Sequence, residues 1–302
     1  MHRQARIAAL LLAGLASSVA QALQPPGAPL AWSQPAQRAE CPDARGYLWL
    51  PQLPGGAACL RYFAPAAALE GAPTVIVYLT GDRDRLLHLP PDQIQDNTEQ
   101  AQTARMERLS RQAGVPVLML ARPGTYGSSG DHRLRRRLAE EFVPLDAGLN
   151  LLRQRHGIGR LVLWGHSGGA TAAAAMLTLG RRDVGCAVLT SAAYDYLERW
   201  RLNRIAGGPA PSVARGEVLA RGMYDPLAHV EGVVQDPRRI VHVMGDARDK
   251  VTPFVLQKAF ADALQRAGHR AEVHETEGNP PNFHDLRAQA GFRQAVACAR
   301  GG

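Results

Sequence analysis

Residues 161–176 read LVLWGHSGGATAAAAM and place one serine, Ser167, between glycines at the end of an apolar run. Small residues that suit a closely packed helix follow it. A sharp turn between a strand and a helix holds a serine hydroxyl above a sheet, and glycines let neighbouring backbone approach closely there. The composition produces Gly-x-Ser-x-Gly by chance only about 0.1 times in a chain of this length. The stretch therefore predicts a buried strand, a tight turn carrying a nucleophile, and a helix.

Similar apolar runs recur on both sides of this stretch and alternate with amphipathic segments. Continuous apolar runs are typical of parallel strands buried on both faces, and their alternation with helices indicates an α/β fold: a mostly parallel sheet with helices on both faces. Two earlier runs flank a Pro-Gly-Gly turn and predict an antiparallel hairpin. The hairpin strands are expected near 47–50 and 60–63, the later strands near 74–79, 116–120, 161–164, 186–189, 240–244 and 271–274, and the helices near 97–113, 134–156, 168–179, 254–267 and 284–299.

One connection is too long for a simple crossover. About 48 residues separate the strands near 186–191 and 239–245, whereas most connections in compact domains are much shorter. We expect residues 192–238 to form a helical insertion that covers one end of the sheet as a lid. Residues 23–302 then make a single domain, in which residues 23–70 supply an irregular lead-in and the hairpin.

Residues 1–22 follow the three-part pattern of a secretory signal peptide. Arg3 and Arg6 precede about ten apolar residues, and small residues stand before a predicted cut after Ala22. Ten apolar residues are about half of the roughly twenty that cross a bilayer as a helix. The sequence therefore predicts a periplasmic or secreted protein without a stable membrane anchor.

The positive charge of the chain is spread along its whole length. Lys and Arg total 35 against 27 Asp and Glu, and only Lys250 and Lys258 among these cations are lysines. Nucleic-acid-binding proteins concentrate basic residues in a patch or stripe, whereas the one dense run here is 133–137. We interpret the charge as compositional bias and expect no nucleic-acid partner.

The chain has four cysteines, and in an oxidising compartment an even number is expected to pair. Four cysteines allow three connectivities. Cys41 and Cys59 share the N-terminal segment, which favours local pairing and leaves Cys186 with Cys298; free buried thiols are the alternative. Neither Cys-x-x-Cys nor His-Glu-x-x-His occurs, so we expect no metal, and no organic cofactor.

The turn around Ser167 resembles the nucleophile elbow of the α/β-hydrolase fold superfamily, and the resemblance extends over about residues 70–300. It implies a catalytic serine, then an acid, then a histidine along the chain. Asp249 stands four residues before Pro253 in a segment similar to the acid turn of that family. The turn is one residue longer from Gly245 than the commonest family pattern, so Asp246 is the alternative acid.

The position of the family's base points to one of the histidines that follow. His284 stands in the loop between the last predicted strand and the last predicted helix, whereas His269 ends a helix and His274 lies within a strand. A serine hydroxyl is a weak nucleophile until a base removes its proton. His284 would take the Ser167 proton, and Asp249 would fix the imidazole tautomer and stabilise the imidazolium.

The resemblance also implies an oxyanion hole made of two backbone N–H groups. One belongs to Gly168, and the other is expected from Asp82 in the loop after the first parallel strand, where many family members have His-Gly and this chain has Thr80-Gly81. The Asp82 carboxylate would oppose a developing negative charge unless it turns away or pairs. Arg83 and Arg122 are the expected partners.

These observations predict an exported serine hydrolase that cleaves an ester or acyl bond of a small-molecule substrate. A peptide substrate is the second choice, because residues 224–284 are also similar to the catalytic domain of prolyl-oligopeptidase-type peptidases. The other alternative is an α/β-hydrolase-like binding protein without catalysis. A missing triad member would favour it, and Ser167, Asp249 and His284 are all present.

Overall fold

The computed structural model of the protein describes residues 25–65, 68–207 and 210–301, and the predicted signal peptide lies outside them. Within these ranges eight strands form one sheet. They are β1 (Tyr47–Leu50), β2 (Ala58–Phe63), β3 (Thr74–Leu79), β4 (Val117–Leu120), β5 (Arg160–His166), β6 (Val184–Thr190), β7 (Ile240–Gly245) and β8 (Ala271–Glu275).

The helices lie between and after these strands. They are α1 (Glu99–Ala113), α2 (His132–Arg135), α3 (Ala139–His156), α4 (Gly168–Thr178), α5 (Tyr196–Ile205), α6 (Val213–Gly222), α7 (Phe254–Arg266) and α8 (Ala290–Arg300). Within the described ranges, no helix combines the length and the apolar character that crossing a membrane requires.

The strand order is β1-β2-β4-β3-β5-β6-β7-β8. Strands β1 and β2 form the predicted antiparallel hairpin, β2 runs antiparallel to β4, and the other neighbours are parallel. After β3 the chain adds β4 on one side and then crosses to add β5 on the other. Ligands of open α/β sheets bind at the carboxyl ends of the strands where the order reverses in this way. The segment after β5 starts with Ser167.

Helices cover both faces of the sheet, as predicted. Side chains along a strand point alternately to its two faces. Val75 and Val77 join a core with residues of α3, α4 and α7, whereas Ile76 and Tyr78 join a second core with residues of α1 and α8. Burial on both faces explains why the parallel strands are continuous apolar runs without polar alternation.

Two predicted helices begin later in the structure than in the sequence analysis. The helix expected from residue 134 is interrupted, because Arg137 has a φ of 65° and its N–H donates to the Glu141 carboxylate, so α3 starts at Ala139. The helix expected from residue 284 starts at Ala290. The Arg287 N–H donates to Glu277 O at 2.8 Å, which ties the preceding residues to the loop after β8.

The long connection between β6 and β7 contains helices α5 and α6, as the sequence indicated. Arg199 on α5 donates from Nε to Val251 O at 3.0 Å, and the Tyr196 hydroxyl donates to Tyr224 O at 3.2 Å. The first of these bonds anchors α5 to the loop that follows β7, at the carboxyl end of the sheet.

Two disulfides join the pairs that sequence proximity favoured, Cys41 with Cys59 and Cys186 with Cys298. The first pair is separated by 18 residues, and closing a loop of that length contributes about 3 kcal/mol in the chain-entropy model. The second joins β6 to α8 across 112 residues. Both ends of the domain are therefore cross-linked to the sheet.

Candidate active site

Ser167 occupies the turn between β5 and α4 in a strained backbone conformation. Its φ is 53° and its ψ is −124°, a combination that costs a non-glycine residue about 1–3 kcal/mol and persists only where the surroundings enforce it. The Ser167 N–H donates to Thr190 O at 2.8 Å, which binds the turn to the neighbouring strand β6. The residue is nearly buried, with 8% exposed.

Close approach of the loop after β3 explains the glycines that follow Ser167. A Cβ atom on Gly169 would overlap the carbonyl oxygens of Leu79 and Thr80, and one on Gly168 would overlap the Asp82 carboxylate. A Cβ on Gly81 would lie 3.2 Å from Ser167 Cβ. The two loops are therefore in direct contact.

The structure brings Asp249 and His284 together at this edge of the sheet. Asp249 Oδ2 lies 2.8 Å from His284 Nδ1 and accepts a hydrogen bond from the Thr252 hydroxyl at 2.8 Å. Asp249 Oδ1 accepts from the N–H groups of Val251 and Thr252 at 2.8 and 3.0 Å. With its side chain fully buried, the carboxylate fixes the orientation of the His284 ring and leaves Nε2 for other partners.

The alternative acid, Asp246, has a different set of partners. Its carboxylate accepts from Arg248 Nε and Nη2 at 2.9 and 2.8 Å and from the Gly278 N–H at 2.6 Å. The hydrogen bonds from Arg248 hold the pKa of Asp246 well below its usual range. Asp246 thus links the loops after β7 and β8 and makes no hydrogen bond to His284 within the described chain.

The His284 ring lies beside the residue that precedes the nucleophile. The ring centroids of His166 and His284 are 5.0 Å apart. Among the described residues, no hydrogen bond joins the Ser167 hydroxyl to His284. Catalytic hydrogen bonds are often long without substrate and tighten in the substrate complex.

The expected oxyanion donors lie on the two loops that meet here. Gly168 is the first residue of α4, so its N–H has no partner within the helix and adds to the positive end of the helix dipole. Asp82 follows Gly81, which packs against the nucleophile turn. Backbone donors fixed in this way stabilise a developing oxyanion without reorganising during the reaction.

Two arginines bind the Asp82 carboxylate, and a third, Arg136, lies 4.0 Å from it. Arg122 donates from Nη1 to Asp82 Oδ1 at 2.9 Å and from Nε to Glu141 Oε1 at 2.6 Å, and Arg137 binds Asp82 Oδ2. Burial by itself raises the pKa of Asp82, but the charges of Arg137 and Arg122 outweigh it and hold that pKa well below its usual range. Arg122 was an expected partner of Asp82, and the structure confirms this contact. Arg137 was not expected from the sequence.

His132 adds no charge to this cluster. Its Nε2 lies 3.8 Å from Asp82 Oδ1, but burial and the nearby charge of Arg122 lower the pKa of His132 to about 3. The imidazole is therefore neutral near pH 7, and the arginines alone balance the carboxylates.

Several supporting contacts were not predicted, because each joins residues far apart in the chain. The Ser191 hydroxyl donates to His284 O at 2.7 Å, and Asp285 Oδ1 lies 3.1 Å from His166 Nε2. The hydrogen bond from His166 lowers the pKa of Asp285. Thr252 is a local exception, because it lies three residues after Asp249 and Asp side chains commonly accept hydrogen bonds from the backbone that follows them in a turn.

Comparison with solved structures identifies the fold, whereas neither family models nor curated proteins match the sequence. An esterase from Pyrococcus furiosus is 13% identical with a TM-score of 0.54, and the match covers 90% of this chain and 97% of the esterase. An acylaminoacyl peptidase from Pyrococcus horikoshii is 13% identical with a TM-score of 0.53, covering 84% of this chain and 39% of the peptidase. A puromycin-hydrolysing peptidase from Mycobacterium tuberculosis is 19% identical with a TM-score of 0.53, covering 83% and 38%.

This chain therefore spans about two fifths of the length of both peptidases and nearly all of the esterase. The chain has the α/β-hydrolase fold.

Replacing Arg122 by methionine should strongly destabilise the protein. The Arg122→Met variant leaves the Asp82 and Glu141 carboxylates facing an apolar side chain, and removing one partner of a buried ion pair typically costs about 3–5 kcal/mol. The free energy of unfolding from urea titration measures this loss. The control is Arg135→Met, which breaks an exposed ion pair of 3.1 Å with Glu140 and should change stability by about 1 kcal/mol or less. Equal losses in the two variants would contradict a dominant role for the buried cluster.

Proposed function

We propose that the protein is a serine hydrolase that cleaves ester bonds through an acyl-enzyme intermediate. In this proposal Ser167 is the nucleophile, His284 the general base and acid, and Asp249 the group that orients His284. The observation that carries it is the 2.8 Å contact between His284 Nδ1 and the buried Asp249 carboxylate, beside a serine held in a strained turn. Strained conformations persist only where the surrounding structure enforces them, and they cluster at active sites.

The proposed reaction uses these groups in sequence. His284 Nε2 takes the Ser167 proton as Oγ attacks the ester carbonyl, while Asp249 accepts from Nδ1–H and stabilises the imidazolium. The N–H groups of Gly168 and Asp82 would bind the oxyanion, each contributing about 3 kcal/mol by analogy with measured oxyanion holes. His284 then protonates the departing alkoxide, and a water molecule activated by the same ring hydrolyses the acyl-enzyme.

The charges in the loop after β3 favour an ester over a peptide with a free amino terminus. A site for an ammonium group needs a carboxylate that is not already neutralised. In this loop Asp82 is bound by two arginines and Asp84 pairs with Arg136. The match to the Pyrococcus furiosus esterase also extends over nearly all of both chains, whereas the matched peptidases are much longer.

Short-chain p-nitrophenyl esters should be cleaved with a higher kcat/KM than aminoacyl or prolyl p-nitroanilides. An amine must be protonated as it leaves, which requires the substrate to be held with its nitrogen near His284, whereas a phenoxide leaves without that help. Initial rates on matched acyl groups measure the ratio. A higher kcat/KM for an anilide would favour the peptidase alternative and make Asp82 the first residue to substitute.

The Ser167→Ala variant should lose nearly all turnover and all labelling by a fluorophosphonate probe. Removing the nucleophile of a triad costs on the order of 10⁶ in kcat, and the probe reacts only with an activated hydroxyl. Gel fluorescence after probe treatment provides the readout, and thermal unfolding checks that the fold is kept. The control is Ser128→Ala, whose hydroxyl accepts from the Arg61 N–H outside the turn. Labelling of the Ser167→Ala protein would refute the assignment.

The Asp249→Asn variant should lose far more activity than Asp246→Asn. An asparagine at 249 offers an N–H to His284 Nδ1 or stabilises the wrong tautomer, an exchange that costs about 10⁴ in kcat in a known triad. Asparagine at 246 keeps an acceptor for the Gly278 N–H and should reduce kcat by less than about tenfold. Ester kinetics on both variants give the ranking, and the reverse ranking would assign the acid to Asp246.

We also propose that the protein is exported. The two disulfides are typical of oxidising compartments, and they agree with the signal-peptide pattern of residues 1–22. N-terminal sequencing of the exported chain should then begin at Leu23. Finding Met1 on protein recovered from the cytoplasm would contradict this proposal.

A further inference from the structure

Two histidines and a glutamate converge on strands β7 and β8, away from the proposed active site. Glu272 on β8 lies opposite His242 in the register between the strands, and His274 is two residues further along β8 on the same face. His242 Nδ1 lies 2.9 Å from His274 Nε2 and 3.4 Å from Glu272 Oε2. Glu272 Oε2 lies 3.6 Å from His274 Nε2. Three potential metal ligands therefore form a compact triangle.

We propose that His242, Glu272 and His274 bind one zinc ion. Zinc is tetrahedral, with bonds of about 2.0–2.1 Å to imidazole nitrogen and 2.0–2.2 Å to carboxylate oxygen, so its ligand atoms are about 3.3 Å apart. The three observed separations are 2.9, 3.4 and 3.6 Å, which lie within about 0.4 Å of that value. The circle through the three atoms has a radius of about 1.9 Å, so an ion about 0.7 Å out of their plane would lie at zinc-bond distance from all of them.

The surroundings of the triangle also suit a metal ion. His242 is held by sheet hydrogen bonding on β7 with only 6% of its side chain exposed, whereas Glu272 is 54% exposed. The buried imidazole provides a fixed ligand, and the exposed side leaves room for a water as fourth ligand. The Gln294 side-chain amide lies against the outer ring nitrogen of His242, with Gln294 Nε2 3.0 Å from His242 Nε2. Rotating this amide by 180° would place its oxygen there, where it would accept the Nε2–H and keep Nδ1 free for the metal, the outer support typical of histidine ligands.

The metal-binding motifs that predicted no metal contain ligands closely spaced along one segment. His242 and His274 are 32 residues apart and meet only because β7 and β8 are neighbours. Two imidazoles and one carboxylate suit zinc better than magnesium or calcium, which prefer oxygen ligands. One positive charge of the ion is balanced by Glu272. A zinc ion here would join the edge strand β8 to β7 and stabilise the edge of the sheet.

Zinc titration of the untagged, chelator-treated protein under non-reducing conditions tests the proposal. We expect about one zinc per chain by isothermal calorimetry. Free zinc at about 100 times its Kd should raise the Tm by roughly 4 °C. The His274→Gln and Glu272→Gln variants, both at partly exposed positions, should each bind zinc at least about tenfold more weakly.

The matched control is His269→Gln, which removes a histidine close to the start of β8 but outside the triangle, and its zinc affinity should be unchanged. Absence of binding, or equal affinity in His274→Gln and the parent chain, would overturn the proposal. So would binding that appears only after reduction. That result would assign the metal to the thiolates of Cys186 and Cys298, which lie with His242 in a second group of potential ligands. None of these readouts depends on hydrolase activity.

Discussion

The buried guanidinium of Arg122 holds together the segments that surround the proposed nucleophile. It comes from the loop after β4, donates to Thr80 O and Asp82 in the loop after β3, and binds Glu141 in α3. An unpaired charge at this depth would cost several kcal/mol, so the arrangement is stable only when both carboxylates are in place. Arginine suits the position because its planar group offers several donors in fixed directions and stays charged at any working pH. Arg122 thus fixes the loop after β3, which carries Asp82.

The strained turn at Ser167 depends on that loop. A serine with positive φ relaxes unless neighbouring atoms prevent it, and here the prevention comes from direct packing of residues 79–82 against the turn. The hydrogen bond from the Ser167 N–H to Thr190 O adds a constraint from β6. Packing of the loop after β3 and the hydrogen bond to Thr190 O therefore offset the conformational cost of the Ser167 turn.

Much of the fold and the components of the candidate site follow from local pattern. Apolar runs locate all eight strands, and the order of Ser167, Asp249 and His284 along the chain agrees with the superfamily. Local pattern does not distinguish Asp249 from Asp246, because the difference depends on which carboxylate faces His284 after the loop folds. For the same reason it misses the links from Arg122 to Glu141, from Asp285 to His166, and from His242 to His274. Each of these pairs depends on strand order or loop packing.

The contact between Asp82 and Gly168 has a consequence for how this site can evolve. The Asp82 carboxylate and Arg122 Nη1 occupy the space where any side chain at position 168 would begin. A residue larger than glycine can be accepted there only after Asp82 is shortened, and shortening Asp82 leaves the charges of Arg122 and Arg137 in excess. The positions 82, 122, 137 and 168 therefore form an epistatic unit. Related chains that carry a side chain after the nucleophile should also have lost the acid at 82, so these positions are expected to covary in an alignment of homologues.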